Sequence, residues 1–291
     1  MSARFDLQSH SVCSDGELSA AEVVAAAAGA GIEVLALSDH DTVDGVAEAL
    51  AAGREHGVGI VPAIEISALD PEGSDLHILG YGIDHEDAGF GVALERFRAD
   101  RGQRADRMIA ALRECGFQLD TAPLERRRAD GGSIGRPHLA EAVFAHPANA
   151  ERIAAEGLAH PSAVLEAYLL PGTPAFRARS VPTVADAVTA IHRAGGLAVW
   201  AHPFWDVDAP EEVVATLERF KQLGIDGVEA FYTTFDEPQT RLLAETAARL
   251  GLLTTGSADF HGPGHDRFNR FGSFSTYGLE PDVGRVLAMA A

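Results

Sequence analysis

Apolar and polar positions along this chain fall into two rhythms, short runs that read as strands and longer stretches with helical spacing. Phe5-Asp6-Leu7 opens as a strand and runs into a polar segment that closes at Asp15-Gly16, a turn signal. Ser19-Ala20-Ala21-Glu22 has the form of a capping box, and the alanine-rich helix behind it ends at Gly29 and Gly31. Strand Ile32–Ser38 leads to Asp39-His40-Asp41-Thr42, and a helix is predicted from about Val43 to His56. Gly59–Ile66 and Asp75–Tyr81 are strand-like and carry Glu65 and His77; His77 points away from Leu76 and Ile78.

Between about Ala88 and Cys115 the apolar spacing turns helical. Gly116–Ser133 is polar and reads as irregular, with Gly131-Gly132 near its end, and short helices are expected at about Pro137–Ala145, Asn149–Glu156 and Ser162–Leu169. Alternation resumes with a helix from Thr183 to Ala194 and a strand, Leu197–Ala201, that delivers His202-Pro203-Phe204-Trp205. Helix Glu211–Leu223, strand Gly227–Phe231 with Glu229, helix Pro238–Leu250 and strand Leu252–Ser257 follow, the last delivering Asp259-Phe260-His261-Gly262. Such strand–helix units, with polar residues at the carboxyl ends of the strands, predict a parallel α/β barrel whose site lies on one rim. The barrel is expected from residues 1–95 and 180–291, with residues 96–179 an inserted, mostly helical subdomain.

Composition narrows the class. A chain of 291 residues with 46% apolar content suits one large domain carrying an insert. Its two cysteines, Cys13 and Cys115, form no CxxC spacing, so a reducing compartment is expected. The N-terminus lacks the apolar core of a signal peptide, and Glu22 and Glu33 interrupt the longest apolar stretch, so a soluble cytoplasmic protein is expected. A formal charge of −20 argues against broad adhesion to nucleic acid. Thirteen of the 23 basic residues nevertheless fall between Arg96 and Arg179, which suits a phosphorylated ligand even though most of them read as solvated helix faces.

Collected, the polar residues at strand ends are His10, Asp15, His40, Glu65, His77, His202, Asp259 and His261. One such histidine is ordinarily structural, but this many imidazoles and carboxylates call for a cluster of divalent ions, because unpaired buried carboxylates are costly. Mixed ligands of this kind favour manganese first, with iron or zinc as alternatives. Other residues carry blander readings. Asp41 reads as an N-cap more than a proton shuttle, and Cys13 as a small buried filler. Glu229 is a candidate support for the ligands, and His265 has no assigned role. Phe176, Phe204, Trp205 and Tyr232 are candidates to stack on a base, with core packing the default for each.

Phe5–Gly16, Leu37-Ser38-Asp39-His40-Asp41-Thr42, Glu65, His77, Ala201-His202-Pro203 and Asp259-Phe260-His261-Gly262 resemble, in order, the motifs of the polymerase and histidinol phosphatase (PHP) family of metal-dependent phosphoesterases. The resemblance implies a distorted (β/α)7 TIM-like barrel with two or three ions. One ion would take His10, Glu65 and Asp259 with Gln8; a second Asp15, His40 and His261; a third Glu65, His77 and His202, with Glu65 bridging. Gln8 stands where the family pattern has histidine, and an amide oxygen is a neutral, weaker ligand.

Ile134-Gly135-Arg136-Pro137-His138 and the stretch from Tyr168 to Phe176 resemble the insert of the family's nucleotide-phosphatase branch. There Arg136 and His138 would hold phosphate and Phe176 would touch substrate; His202, Asp259, Arg136 and His138 are the expected catalytic residues, with His138 or His202 to protonate the departing oxygen. The expected reaction is hydrolysis of a phosphate monoester of a nucleotide or similar small metabolite, such as a nucleoside 3′,5′-bisphosphate, by a metal-bound hydroxide. The alternatives are a 5′-3′ exoribonuclease on short RNA and a catalytically weakened nucleotide-binding module. No membrane or protein partner is implied.

Overall fold

Alternation along β3 (Gly59–Leu69) decides where the interior of the barrel lies. Ile60 packs outward with Leu35, Leu37, Val23 and Ala49, whereas Val61 and Ala63 pack inward with Leu7, Leu79, Tyr81 and Val199. Period-two spacing then places Glu65 on the inward face, two residues beyond Ala63. The computed structural model describes residues 4–70, 75–129, 134–177 and 182–291. Gly131-Gly132 and the expected boundary at 179/180 lie outside them.

The other strands are β1 (Phe5–Asp6), β2 (Val34–Leu37), β4 (Asp75–Tyr81), β5 (Leu197–Trp200), β6 (Gly227–Tyr232) and β7 (Leu253–Ser257). All seven form one sheet in chain order. The sheet nearly closes beyond β1, where the Leu7 N–H donates to Gly256 O at 3.2 Å and the His10 N–H to Phe260 O at 2.8 Å. The architecture is thus the expected α/β, TIM-like barrel, with one difference. β4 runs antiparallel to both β3 and β5, so the barrel is not wholly parallel. Its reversal puts the start of β4 beside the end of β3, with His77 opposite Ser67, and so brings His77 to the rim that carries the other strand ends.

Helices α1 (Ala20–Gly29), α2 (Val46–His56), α3 (Ala88–Glu114), α4 (Ala122–Ala129), α5 (Arg136–Phe144), α6 (Ala150–Ala155) and α7 (Pro161–Tyr168) occupy the first part of the chain. Helices α8 (Val184–Arg193), α9 (Pro203–Asp206), α10 (Pro210–Gln222), α11 (Glu237–Leu250) and α12 (Gly284–Leu287) follow. Ser19 caps α1 in the expected box with Glu22, and Thr183 and Asp236 do the same for α8 and α11. α2 begins at Val46, later than its spacing suggested, because Val43–Gly45 form a turn and Gly45 offers no side-chain cap. α4 lies where an irregular stretch was expected; Leu124 alone buries itself there, too thin an apolar stripe to announce a helix.

Two compact units result, Met1–Leu94 with Pro182–Ala291, and Glu95–Val181, the division falling inside α3. In the second unit Met108, Leu112, Phe117, Leu139, Val143, Val164 and Leu169 form a separate core. The Asn149 side chain is buried there and satisfied, accepting from the Gln118 N–H at 2.9 Å and donating to Gln118 O at 2.8 Å and Val143 O at 2.7 Å. Among the described residues no helix is long and apolar enough to cross a membrane.

Candidate metal centre

Each strand end of the barrel places one or two polar groups on the same rim. Beyond β1 the chain stays extended through Gln8 and His10, both fully buried. It then turns back at Gly16, where a Cβ would lie 2.3 Å from His10 O, so only glycine admits this approach. The turn returns Asp15 to His10, with Asp15 Oδ1 3.6 Å from His10 Nδ1. Asp39, at the end of β2, holds this turn in place. Its Oδ1 accepts from the Ser11 N–H at 2.7 Å and the Ser14 hydroxyl at 2.6 Å, and its Oδ2 from the Ser11 hydroxyl at 2.7 Å.

Glu65 is the hub. Its Oε1 lies 2.7 Å from His77 Nδ1 and 3.0 Å from His202 Nε2, and its Oε2 lies 3.1 Å from His10 Nε2 and 3.7 Å from His40 Nδ1. His10 Nε2 is also 3.0 Å from Asp259 Oδ1. Asp15 faces His40 and His261, each at 3.6 Å. Three groups of donor atoms are each tight enough to share one ion: His10, Asp15, His40 and His261; His40, Glu65 and His77; His10, Glu65 and Asp259. The structure therefore brings together all eight ionisable residues singled out at the strand ends.

The donor set fits divalent ions on a further observation. Both ring nitrogens of His10, Nδ1 of His40 and of His202, and Oδ1 of Asp259 are buried and make no well-oriented hydrogen bond, although His10 Nε2 and Asp259 Oδ1 face each other at 3.0 Å. Native interiors rarely leave such atoms unsatisfied, and ion coordination would satisfy them. The His261 Nδ1–H donates to Asp259 O at 2.7 Å, which leaves the Nε2 lone pair facing Asp15.

Electrostatics points the same way. Burial opposes charge on Glu65, yet the surrounding imidazoles hold its carboxyl well below the ordinary carboxylate range, and Asp15 is likewise lowered against its burial. Burial disfavours the His202 cation, but the Glu65 carboxylate outweighs it and pushes His202 up to about 10. Without ions, protons on His10 and His202 neutralise these carboxylates.

A second ring of buried groups holds the first, and Glu229, the support that its strand-end position suggested, is one of them. The Glu229 Oε2 accepts the His202 N–H at 2.9 Å and fixes a residue whose backbone sits at φ 30, ψ 57. Burial pushes the Glu229 carboxyl up to about 8. The Tyr232 hydroxyl donates to Asp259 Oδ2 at 2.7 Å. The Gln8 Nε2 amide donates to Glu65 Oε2 at 2.8 Å, while its Oε1 faces the Ser257 hydroxyl at 3.2 Å. As the amide stands, Gln8 turns its nitrogen toward the cluster.

Two blander expectations change. Asp41 is not a helix cap; it accepts the N–H and the hydroxyl of Ser67 on β3, at 3.0 and 3.1 Å, and so ties the β2 end to its neighbour. Cys13 is exposed instead of buried, because the loop turns its side chain outward, and both cysteines are free. His265 acquires a structural role: its Nδ1 accepts the N–H of Phe268 at 3.0 Å and of Arg267 at 3.2 Å and shapes the turn after β7.

Arg136, His138 and Phe176 lie in the second unit. Arg136 is the first residue of α5. His138 Nδ1 accepts the Gly135 N–H at 3.0 Å, and burial, helped by the charge of Arg127, lowers its pKa. Phe176 packs under the Arg104 guanidinium, 5.5 Å from the ring centroid.

The family model for the PHP domain matches residues 6–119. A 5′-3′ exoribonuclease of Haemophilus influenzae is 31% identical over 263 residues, covering 90% of this chain and 92% of that protein. A 3′,5′-nucleoside bisphosphate phosphatase of Chromobacterium violaceum is 30% identical over 262 residues, covering 90% and 88%. Among solved structures, a protein of Bifidobacterium adolescentis described as a metal-dependent phosphoesterase superposes with a TM-score of 0.74 at 27% identity, covering 100% of this chain and 98% of that one.

Proposed function

This chain belongs to the PHP family of metal-dependent phosphoester hydrolases, and from that premise we propose that it removes a phosphate monoester from a nucleotide, with a nucleoside 3′,5′-bisphosphate as the type substrate. One observation carries the reading: a single buried carboxylate, Glu65, within 3.7 Å of four imidazoles. Few arrangements other than an ion cluster need that geometry.

We assign the ions to His10, Asp15, His40, Glu65, His77, His202, Asp259 and His261, and name manganese as the metal on the mixed nitrogen and oxygen donors. Gln8 joins this set only if its amide turns over to present Oε1. Ions held there supply Lewis-acid charge to the phosphoryl oxygens and make water acidic enough to ionise near neutral pH. Asp259, oriented by Tyr232, directs Oδ1 at the cluster.

Arg136 and His138 are assigned to phosphate recognition, and Phe176 to substrate contact. His138 suits the role as a neutral N–H donor through Nε2, because Nδ1 is occupied and its pKa is lowered. The two free cysteines support a reducing cytoplasm.

The test is phosphate release from a nucleoside 3′,5′-bisphosphate, adenosine monophosphate and an aryl phosphate, with and without Mn²⁺. Manganese-dependent release from the bisphosphate is expected; no release from any of the three overturns the reading. The Haemophilus relative's name gives the second reading its support. Faster shortening of a 5′-labelled RNA oligomer than release from the bisphosphate would establish that one instead.

A further inference from the structure

We propose that Trp205 is the platform on which the base of the nucleotide stacks, with Arg267 folding over it; this rests on the nucleotide reading above. The indole is 50% exposed, a costly placement for the largest apolar side chain. Its position is nonetheless rigid. The Nε1–H donates to Thr234 Oγ1 at 2.9 Å, the backbone N–H to His202 O at 2.9 Å, and the ring meets Tyr232 edge-on at 6.4 Å and Phe268 at 5.6 Å.

The platform adjoins the cluster. Trp205 lies three residues after His202, and the two rings are 6.5 Å apart. A phosphate held at the cluster therefore leaves the rest of a small ester within reach of the indole. The other aromatic candidates of the barrel are spent. Tyr232 is 2% exposed with its hydroxyl given to Asp259, and Phe204 packs edge-on against Phe235 at 5.4 Å.

Arg267 completes the site. The turn shaped by His265 carries it over the indole, its guanidinium carbon 5.5 Å from the ring centroid. Its residue is exposed and its stem is long, so the guanidinium can rise to cover a stacked base or pair with a second phosphate. A rigid aromatic face with an exposed cation above it suits a flat, electron-rich ring and offers nothing to a bare sugar phosphate.

Two measurements test this. Base stacking of ordinary strength predicts that Trp205→Ala lowers kcat/KM for a nucleoside 3′,5′-bisphosphate roughly 5- to 100-fold, leaves ribose 5-phosphate within about twofold, and is largely rescued by Trp205→Phe. Equal losses on both substrates, or no loss on the bisphosphate, overturn the proposal. The second readout needs no turnover. Trp200 is fully buried and Trp205 half exposed, so adenosine monophosphate should quench the emission of the wild-type protein but not of Trp205→Phe. Binding by calorimetry without quenching in the wild type overturns the platform even if Trp205→Ala does not fold. Quenching without hydrolysis of any phosphate monoester would instead leave the platform standing and remove the phosphatase reading.

Discussion

The side-chain nitrogen of Gln8 lies 2.8 Å from Glu65 Oε2, the oxygen that also faces His10 Nε2 at 3.1 Å. An amide N–H in that position braces the Glu65 carboxylate and presents no lone pair to the cluster. The ligand group of His10, Glu65 and Asp259 is thereby left with three strong donors. Gln8→His should restore the missing donor, and elemental analysis after gel filtration should find about one further ion per chain than in the wild type. An unchanged metal content would show that Gln8 does not limit occupancy.

Asp39 touches none of the proposed ligands through its side chain, yet it accepts three hydrogen bonds from Ser11 and Ser14 in the turn that carries Asp15. Asp39→Ala leaves those donors without their buried acceptor. A loss of about 2–4 kcal/mol in stability follows, together with weaker metal binding, because Asp15 is no longer held. Thermal unfolding and metal titration measure the two effects separately. Retention of metal affinity in the variant would mean that Gly16 alone sets the turn.

Removal of the ions should lower the melting temperature, since ions bind the folded barrel and leave a crowd of unpaired groups behind. The gap between manganese-loaded and chelated protein should narrow as pH falls from about 8 to about 6. The sign follows from His202: without ions its pKa is pushed up to about 10, chiefly by Glu65 against the opposing burial, so a proton must leave before an ion binds. Calorimetric scans across that range check it, and a gap that widened on acidification would contradict the ligand assignment.

His138 gives a second pH dependence, in the other unit. Burial lowers its pKa below the ordinary 6.5, and Nδ1 accepts the Gly135 N–H at the start of α5. In the window between the lowered value and 6.5 the unfolded chain binds the proton more readily. Stability from this group is therefore complete above 6.5 and is lost as pH falls through the folded value. His138→Gln keeps an acceptor without the titration. Its unfolding midpoint should vary less between pH 7.5 and 5.5 than that of the wild type.

Much of the barrel and its rim was legible along the chain. The strand pattern over Gly59–Ile66 delivered Glu65, Ser19 and Glu22 announced α1, and the strand ends carried the imidazoles and carboxylates that converge. These features depend on residues a few positions apart, where backbone geometry and side-chain parity leave little freedom. The tertiary structure decided what local windows do not contain. It reversed β4 so that His77 reaches the rim from a strand's beginning, and it pointed the Gln8 amide at Glu65 across 57 residues. It gave Asp41 to Ser67, Asp39 to Ser11 and Ser14, and left Trp205 in water beside His202. A buried polar group takes the partner that the folded chain brings to it, and that partner can lie anywhere in the sequence.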